Sequence, residues 1–347
     1  MEEHIRKAIQ ILYSYALLLG LALIGLSFFR DPSPQQESYL TFYTDSILSE
    51  SGNWLGYILS LVLAGGLLYS LIGRIKGAVK GDRGLQADST ERVNSQYSRL
   101  RQGLINLVKL VIPVSLNLIL FSYIVGHINF INRNRLIDTT LASVDHWLTG
   151  AYLFVSLQNL KLPLWFVKGV ILSFANLPLF MVFCAAVAYL KDKLVFSKYA
   201  VAFFTSIVLM VPIWLSVPVM SPQDRFIDNV YNLADPPRIS SALNHYEPMH
   251  PVKSFLKQMR LSKVGLVDMP TTTFPSSHAA WATLVLIYLF EASSIAGILM
   301  APFLILSTFG TFYLAQHYFV DAPTGIIIGL LSVLISSGFF RKWEADR

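Results

Sequence analysis

The 347-residue chain is 54% hydrophobic and only 14% charged, with a formal net charge of +6 and a mean hydropathy of +0.53. A soluble domain carries roughly 25% charged residues, so this composition excludes a disordered protein, a coiled coil and an ordinary water-soluble enzyme. The excess of 27 Lys+Arg over 21 Asp+Glu reads as membrane topology, and no nucleic-acid partner is expected.

Eight spanning helices are expected, near residues 9–29, 54–73, 104–125, 163–190, 199–219, 278–292, 295–316 and 320–340. Each approaches the ~20 apolar residues that cross the hydrocarbon core. The sixth is short unless it begins within Phe274-Pro275-Ser276-Ser277. The runs are continuous, not alternating as in a barrel, so the fold class is an all-α polytopic membrane bundle. The first run is longer than a signal peptide's apolar region and is followed by Phe-Phe-Arg-Asp-Pro with no small-residue cleavage pattern, so it is read as a retained helix. The single Cys184 lies inside an apolar run and excludes a disulfide framework.

Orientation follows from the cations. Arg74, Lys76, Lys80, Arg83, Arg92, Arg99 and Arg101 lie between the second and third helices. Lys191, Lys193 and Lys198 follow the fourth, and Arg341, Lys342 and Arg347 follow the last. Counting through the helices puts all three groups on one side, with Arg30–Asn53 on the other. Both termini are therefore expected in the cytoplasm. Two long segments fall outside: 126–162, with the amphipathic stretch around Asp145, His146 and Trp147, and 220–275, with Asp235-Pro-Pro-Arg238 and Lys253, Lys257 and Arg260. The first is expected flat on the interface or re-entrant. Segments this long in a compact membrane protein usually serve function.

Ionisable groups at membrane depth are functional candidates because burying them costs free energy. His278 starts the sixth helix and His317 lies between the seventh and eighth, 39 residues on, about the length of one hairpin down and back. Topology therefore brings both to the same face. Asp321 follows His317 by four residues, so the two share a face if the segment is helical. A carboxylate beside an imidazole fixes its tautomer and stabilises the imidazolium. His317 is then a candidate nucleophile on phosphorus, or a base that activates one, and His278 a general acid. Ser276 and Ser277 stand at a helix start, where free N–H groups and hydroxyls bind phosphate oxygens. Isolated imidazoles such as His127 and His245 read as solvated polar ends. A His/His/Asp set is also a partial zinc-ligand set, but it lacks a fourth ligand in sequence reach.

These residues resemble a known family. Pro275-Ser276-Ser277-His278 is similar to the second signature of the type 2 phosphatidic acid phosphatase (PAP2) superfamily, Pro-Ser-Gly-His. His317-Tyr-Phe-Val-Asp321 resembles the third, His-x-x-x-Asp. The wider strings Phe-Pro-Ser-Ser-His-Ala and Tyr-Leu-Ala-Gln-His-Tyr-Phe-Val-Asp are closer to inositol phosphorylceramide synthases, and the His-Tyr-x-Val-Asp core is similar to sphingomyelin synthases. The resemblance, which covers mainly residues 163–340, implies a six-helix core and a phosphohistidine intermediate. His317 would attack, Asp321 support it and His278 protonate the leaving group, with no metal or other cofactor. It also implies a membrane lipid substrate, a phospholipid or lipid phosphate, with water or an alcohol such as an inositol or lipid hydroxyl as acceptor.

Two departures stand out. The first signature, Lys-x6-Arg-Pro, is missing, and Pro218-Val-Met-Ser-Pro222-Gln-Asp-Arg225 is the nearest substitute, with Arg225 the candidate phosphate contact. The Ser-Arg pair that usually precedes the third-signature His is here Gly310-Thr311. Lys168 is a further candidate cation, though snorkelling to the interface is the duller reading. The expected organisation is an N-terminal two-helix addition with a basic cytoplasmic loop, 1–103, and a catalytic membrane domain, 104–347. Head-group transfer of the inositol phosphorylceramide synthase type is favoured, with the site on the extracytoplasmic (periplasmic or lumenal) face. A lipid phosphatase acting on phosphatidate or a polyprenyl (pyro)phosphate is the alternative, and a membrane transporter is the alternative of another class.

Overall fold

A computed structural model describes residues 3–28, 89–263 and 268–345. The helix expected at 54–73 and the loop before it lie outside the described residues, as does much of the basic segment that follows. The described helices are α1 (Glu3–Ser27), α2 (Ser89–Asn132), α3 (Asp138–Thr149), α4 (Leu153–Ser156), α5 (Leu164–Ala175), α6 (Leu177–Lys191), α7 (Lys193–Ser216), α8 (Pro237–Leu243), α9 (His250–Ser262), α10 (Ser277–Ala292), α11 (Ser294–Tyr313) and α12 (Asp321–Ala345). A 3-10 turn at Gln158–Leu160, a π-turn at Gln223–Ile227 and one parallel bridge, Val219 to Thr272, complete the architecture among the described residues.

Five of these helices are long and apolar enough to cross a membrane: α1, residues Ile112–Asn132 of α2, α7, α11 and residues Asp321–Lys342 of α12. The expected span 163–190 is instead the pair α5 and α6, bent by 62° at Asn176. The break has a local cause. Asn176 Nδ2 donates to the Leu172 carbonyl at 2.7 Å, and Pro178 at the start of α6 has no N–H with which to continue the ladder. Several apolar helices of this kind fit an integral membrane protein. Their outward faces carry exposed aliphatics such as Leu17, Ile24, Leu299, Ile305 and Leu334, a surface suited to hydrocarbon.

α10 is the centre of the bundle. It packs against α6, α7, α11 and α12 and buries residues on all sides, from Ala279, Ala280 and Ala282 to Tyr288 and Leu289. It does not extend back into Phe274–Ser276 and stays at 16 residues, because Ser276 caps it: the Ser276 hydroxyl accepts from the Ala279 N–H at 3.2 Å. The approach of α12 is set by Gly325 and Gly329. A Cβ on Gly325 would run into the Ser276 carbonyl oxygen, and one on Gly329 would meet the Ala280 carbonyl at 2.8 Å. Two glycines four apart on an apolar helix let backbones come this close.

The two ends of the bundle differ. At the end away from His278, Lys198 Nζ pairs with Glu291 at 2.7 Å, and Ser336 Oγ donates to the Lys198 carbonyl at 2.7 Å. At the His278 end, α3, α4, α8, α9 and the π-turn form a cap over the helix mouths. The cap has its own core, including Leu141, Phe154, Val219, Phe226, Ile239 and Tyr318. α3 buries Asp138, Leu141, Ala142 and Asp145 on one face and exposes Val144, Trp147 (81%) and Leu148 on the other, as an interfacial helix does.

Gly325→Ala tests the packing. Forcing a methyl against backbone costs roughly 1–3 kcal/mol. The variant is expected to lower the thermal midpoint of the detergent-solubilised protein and to displace Ser276 and His278, whereas Gly338→Ala, where a Cβ meets nothing within 4 Å, should leave the midpoint unchanged.

Candidate active site

His317 is not helical. It sits in the turn that links α11 to α12, and its own N–H donates back to the Thr311 carbonyl at 2.9 Å. The four-residue spacing to Asp321 nevertheless brings the side chains together, because Asp321 opens α12 and its carboxylate folds back over the turn. Asp321 Oδ2 accepts from the Tyr318 N–H at 3.0 Å and lies 3.3 Å from His317 Nδ1. Nδ1 is also 3.1 Å from the Thr273 carbonyl oxygen. Both neighbours of Nδ1 are acceptors, so geometry assigns the proton to Nδ1. That leaves Nε2 as the acceptor, and the Ser276 hydroxyl donates to its lone pair at 3.2 Å. Burial pushes the His317 pKa down to about 3, against the upward pull of the Thr273 carbonyl and together with a repulsion from Lys263, so the ring is neutral.

His278 is the second residue of α10. Its Nε2 is 2.8 Å from Ser307 Oγ on α11, and its ring stacks on Phe174 of α5, centroids 4.1 Å apart and planes 11° from parallel. Three helices thus fix one imidazole. Ser276 touches His317 Nε2, and its N–H donates to the Asp321 carbonyl at 3.1 Å. The N–H groups of Ser277 and His278 have no hydrogen-bond partner among the described residues, as expected at a helix start. His317, Asp321 and Ser276 therefore touch one another, and Ser277 and His278 follow Ser276 at the start of α10.

The two candidate cations do not join them. Arg225 is buried, with NH1 at 2.7 Å from Asp235, NH2 donating to the Ala234 carbonyl at 3.0 Å, and its guanidinium over the Phe226 ring at 4.6 Å. Lys168 is exposed on α5. The absence of the Ser-Arg pair has a steric reason at Gly310, where a Cβ would lie 3.1 Å from Phe174 Cβ and 3.2 Å from Val170. α5 presses on α11 at this position and leaves little room for a side chain.

The sequence reading missed what holds the turn. Asp145, noted only as part of an amphipathic stretch, accepts from the Phe319 N–H at 2.6 Å and the Val320 N–H at 3.0 Å, one with each oxygen. Asp138, two turns earlier on the same face, accepts from the Met220 N–H at 2.8 Å and the Tyr318 hydroxyl at 3.1 Å. The seven-residue spacing of two acids on an otherwise apolar helix face was the available signal. Burial pushes both carboxyls up to about 6, partly offset by the N–H and O–H groups that they accept. The bent Lys263–Asp224 ion pair, also unnoticed, lies in the same cap at 2.6 Å.

A family model described as the PAP2 superfamily matches residues 139–335, more than half of the sequence. The chain belongs to the PAP2 superfamily. No curated protein and no solved structure matches it. Membership suggests lipid phosphatase or phosphotransferase activity, since PAP2 proteins generally act on lipid phosphates. The matched segment runs from α3 to α12 and so takes in the cap as well as the candidate site residues.

Two tests follow from this geometry. Asp138 and Asp145 are ionised above about pH 6, and each loses an acceptor oxygen as the pH falls through that value. Turnover should show an acid limb near pH 6 while far-UV circular dichroism stays unchanged, because raised carboxyl pKa values favour protonation in the folded state. Asp145→Asn leaves one buried N–H without its acceptor, at a cost of about 1–3 kcal/mol. It should lower kcat by roughly tenfold or more and displace the acid limb.

Proposed function

We propose that the chain is a lipid phosphotransferase that moves a phosphoryl-linked head group through a phosphohistidine at His317, in the manner of inositol phosphorylceramide synthases. The observation that carries this reading is the His317 ring, with Nδ1 engaged by Thr273 and Asp321 and with the Nε2 lone pair facing the Ser276 hydroxyl, which a phosphoryl group would displace. Nε2 attacks phosphorus, the bond to the leaving oxygen breaks, and His278 gives that oxygen a proton. An acceptor, such as an inositol or lipid hydroxyl, then returns a proton to His278 and takes the phosphoryl group. The unpartnered N–H groups of Ser277 and His278, with the Ser276 and Ser277 hydroxyls, hold the non-bridging oxygens. These steps call for no cofactor.

Discharge by water would make the chain a lipid phosphatase instead, acting on phosphatidate or a polyprenyl (pyro)phosphate. Gly310-Thr311 favours transfer, because a site with one cation fewer suits a singly charged phosphodiester better than a doubly charged monoester. A phosphate contact from Arg225 would have to displace its ion pair with Asp235, and one from Lys168 would come from an exposed side chain.

The site lies on the extracytoplasmic face, with both termini in the cytoplasm. The Lys/Arg distribution supports this, with Lys198 and Lys342 at the end of the bundle away from His317. Residues 1–103 are an N-terminal addition to a catalytic membrane domain of residues 104–347, and a lipid enters sideways from the bilayer.

The test uses a lipid donor labelled in its phosphoryl group. His317→Ala should abolish turnover, and His278→Ala should lower kcat by roughly 10²–10⁴-fold. Label should be trapped on wild-type protein and discharged faster by an alcohol acceptor than by water. Full turnover in His317→Ala would overturn the mechanism, and discharge by water alone would assign a phosphatase.

A further inference from the structure

Lys263 is a buried charge that this mechanism leaves without a role. It closes α9 with its side chain 5% exposed, and its ammonium gives one N–H to each oxygen of Asp224, at 2.8 and 2.6 Å. Asp224 is itself fixed, accepting from the Ser221 hydroxyl at 2.8 Å and 2% exposed. An ammonium has three donors, and the third N–H of Lys263 has no partner among the described residues. A buried ion pair is weak evidence of stability, because desolvation offsets most of the attraction. A spare donor on a buried ammonium therefore calls for another explanation.

The pair is tied to the turn that carries the nucleophile. Gln223, the residue before Asp224, donates its N–H to the Ala315 carbonyl at 2.9 Å and accepts from Gln316 Nε2 at 2.6 Å. Those two contacts join the π-turn to the two residues that precede His317, and the Lys263 charge acts on the His317 ring. The buried cation of the π-turn itself, Arg225, is held by Asp235 and Ala234. Position 311 supplies a threonine, whose hydroxyl donates to the Thr308 carbonyl at 2.7 Å.

We propose that Lys263 is the cation that binds the substrate phosphoryl group, through its third N–H, and that Asp224 limits it to a singly charged group, a phosphodiester lipid. The proposal rests on the phosphohistidine reading. With Asp224 already drawing on the ammonium, the pair is neutral overall and offsets the charge of a dianionic monoester less well than an unpaired lysine would. In the transfer the N–P bond to His317 forms as the P–O bond to one alkoxide breaks. The alkoxide leaves with the electron pair and takes its proton from His278. The retained alkyl phosphoryl group keeps its single charge and its contact with Lys263.

The experiment compares phosphatidylinositol with phosphatidate of the same acyl chains, using full-length protein reconstituted in vesicles. Wild type should turn over the diester with the higher kcat/KM. Lys263→Met should lower kcat/KM for the diester by roughly 10–100-fold, the loss of one charge-assisted hydrogen bond, and Lys263→Arg should recover part of it. Because Lys263→Met strands a buried carboxylate, the decisive variant is Asp224→Asn with Lys263→Met, which leaves no unpaired charge. That double variant should keep its thermal midpoint and remain impaired. Wild-type kcat/KM in the double variant, or a preference for phosphatidate in wild type, would overturn the proposal. Full activity of His317→Ala would sink the phosphohistidine reading itself, a result separable from either.

Discussion

Asp321 opens α12 with a carboxylate that is fully buried, and a buried carboxylate must find donors. The nearest are the Tyr318 N–H and His317 Nδ1, both supplied by the turn that precedes it. That one requirement curls the α11–α12 connection, sets the tautomer of His317 and aims Nε2 at the start of α10. Once the turn is curled, the Asp321 carbonyl is in place to accept from the Ser276 N–H. Gly325 lets α12 come close enough for that contact to form.

The cap works as a clamp on this turn. α3 presents an aromatic and aliphatic face outward and two carboxylates inward, so one short helix meets the membrane interface and also holds the chemistry. Asp145 takes the two N–H groups that α12 leaves unpaired just before its first turn, and Asp138 ties the Tyr318 hydroxyl to the segment after α7. Acceptors at a helix start oppose its positive end, which favours carboxylates there. The bundle contributes the other half. Phe174 on α5 and Ser307 on α11 fix the His278 ring, while Trp214 on α7 donates to the Pro275 carbonyl at 3.2 Å and steadies the segment that leads into α10.

Much of this was legible in the sequence, because apolar run length and the 39-residue spacing of His278 and His317 are local counts that topology converts into proximity. The start of α10 was readable too, since Pro275 and Ser276 are residues that end and cap. The bend at Asn176 lay hidden inside an apolar run long enough to pass for one span. The clamp was out of reach for a different reason: Asp145 finds its partners 174 and 175 residues away, and nothing in its neighbourhood announces them. The cations show the same limit. Arg225 and Lys263 carry like charge in the same long segment, and nothing in their neighbourhood announces that each is buried against its own carboxylate, Asp235 and Asp224. Gly325-Ile-Ile-Ile-Gly329 is a small-residue pair in an apolar helix, a local signal of close approach that went unread.

The central claim is that Asp321 and Thr273 keep the ring proton on Nδ1, so that chemistry occurs at Nε2. Nitrogen-15 spectra of protein labelled at histidine, assigned to His317 by difference from His317→Ala, report the tautomer, and phosphorus-31 spectra of the trapped phosphoenzyme report which nitrogen carries phosphorus. The account predicts a protonated Nδ1 in the free enzyme and phosphorus on Nε2. A free enzyme protonated at Nε2, or phosphorus bound to Nδ1, would contradict it.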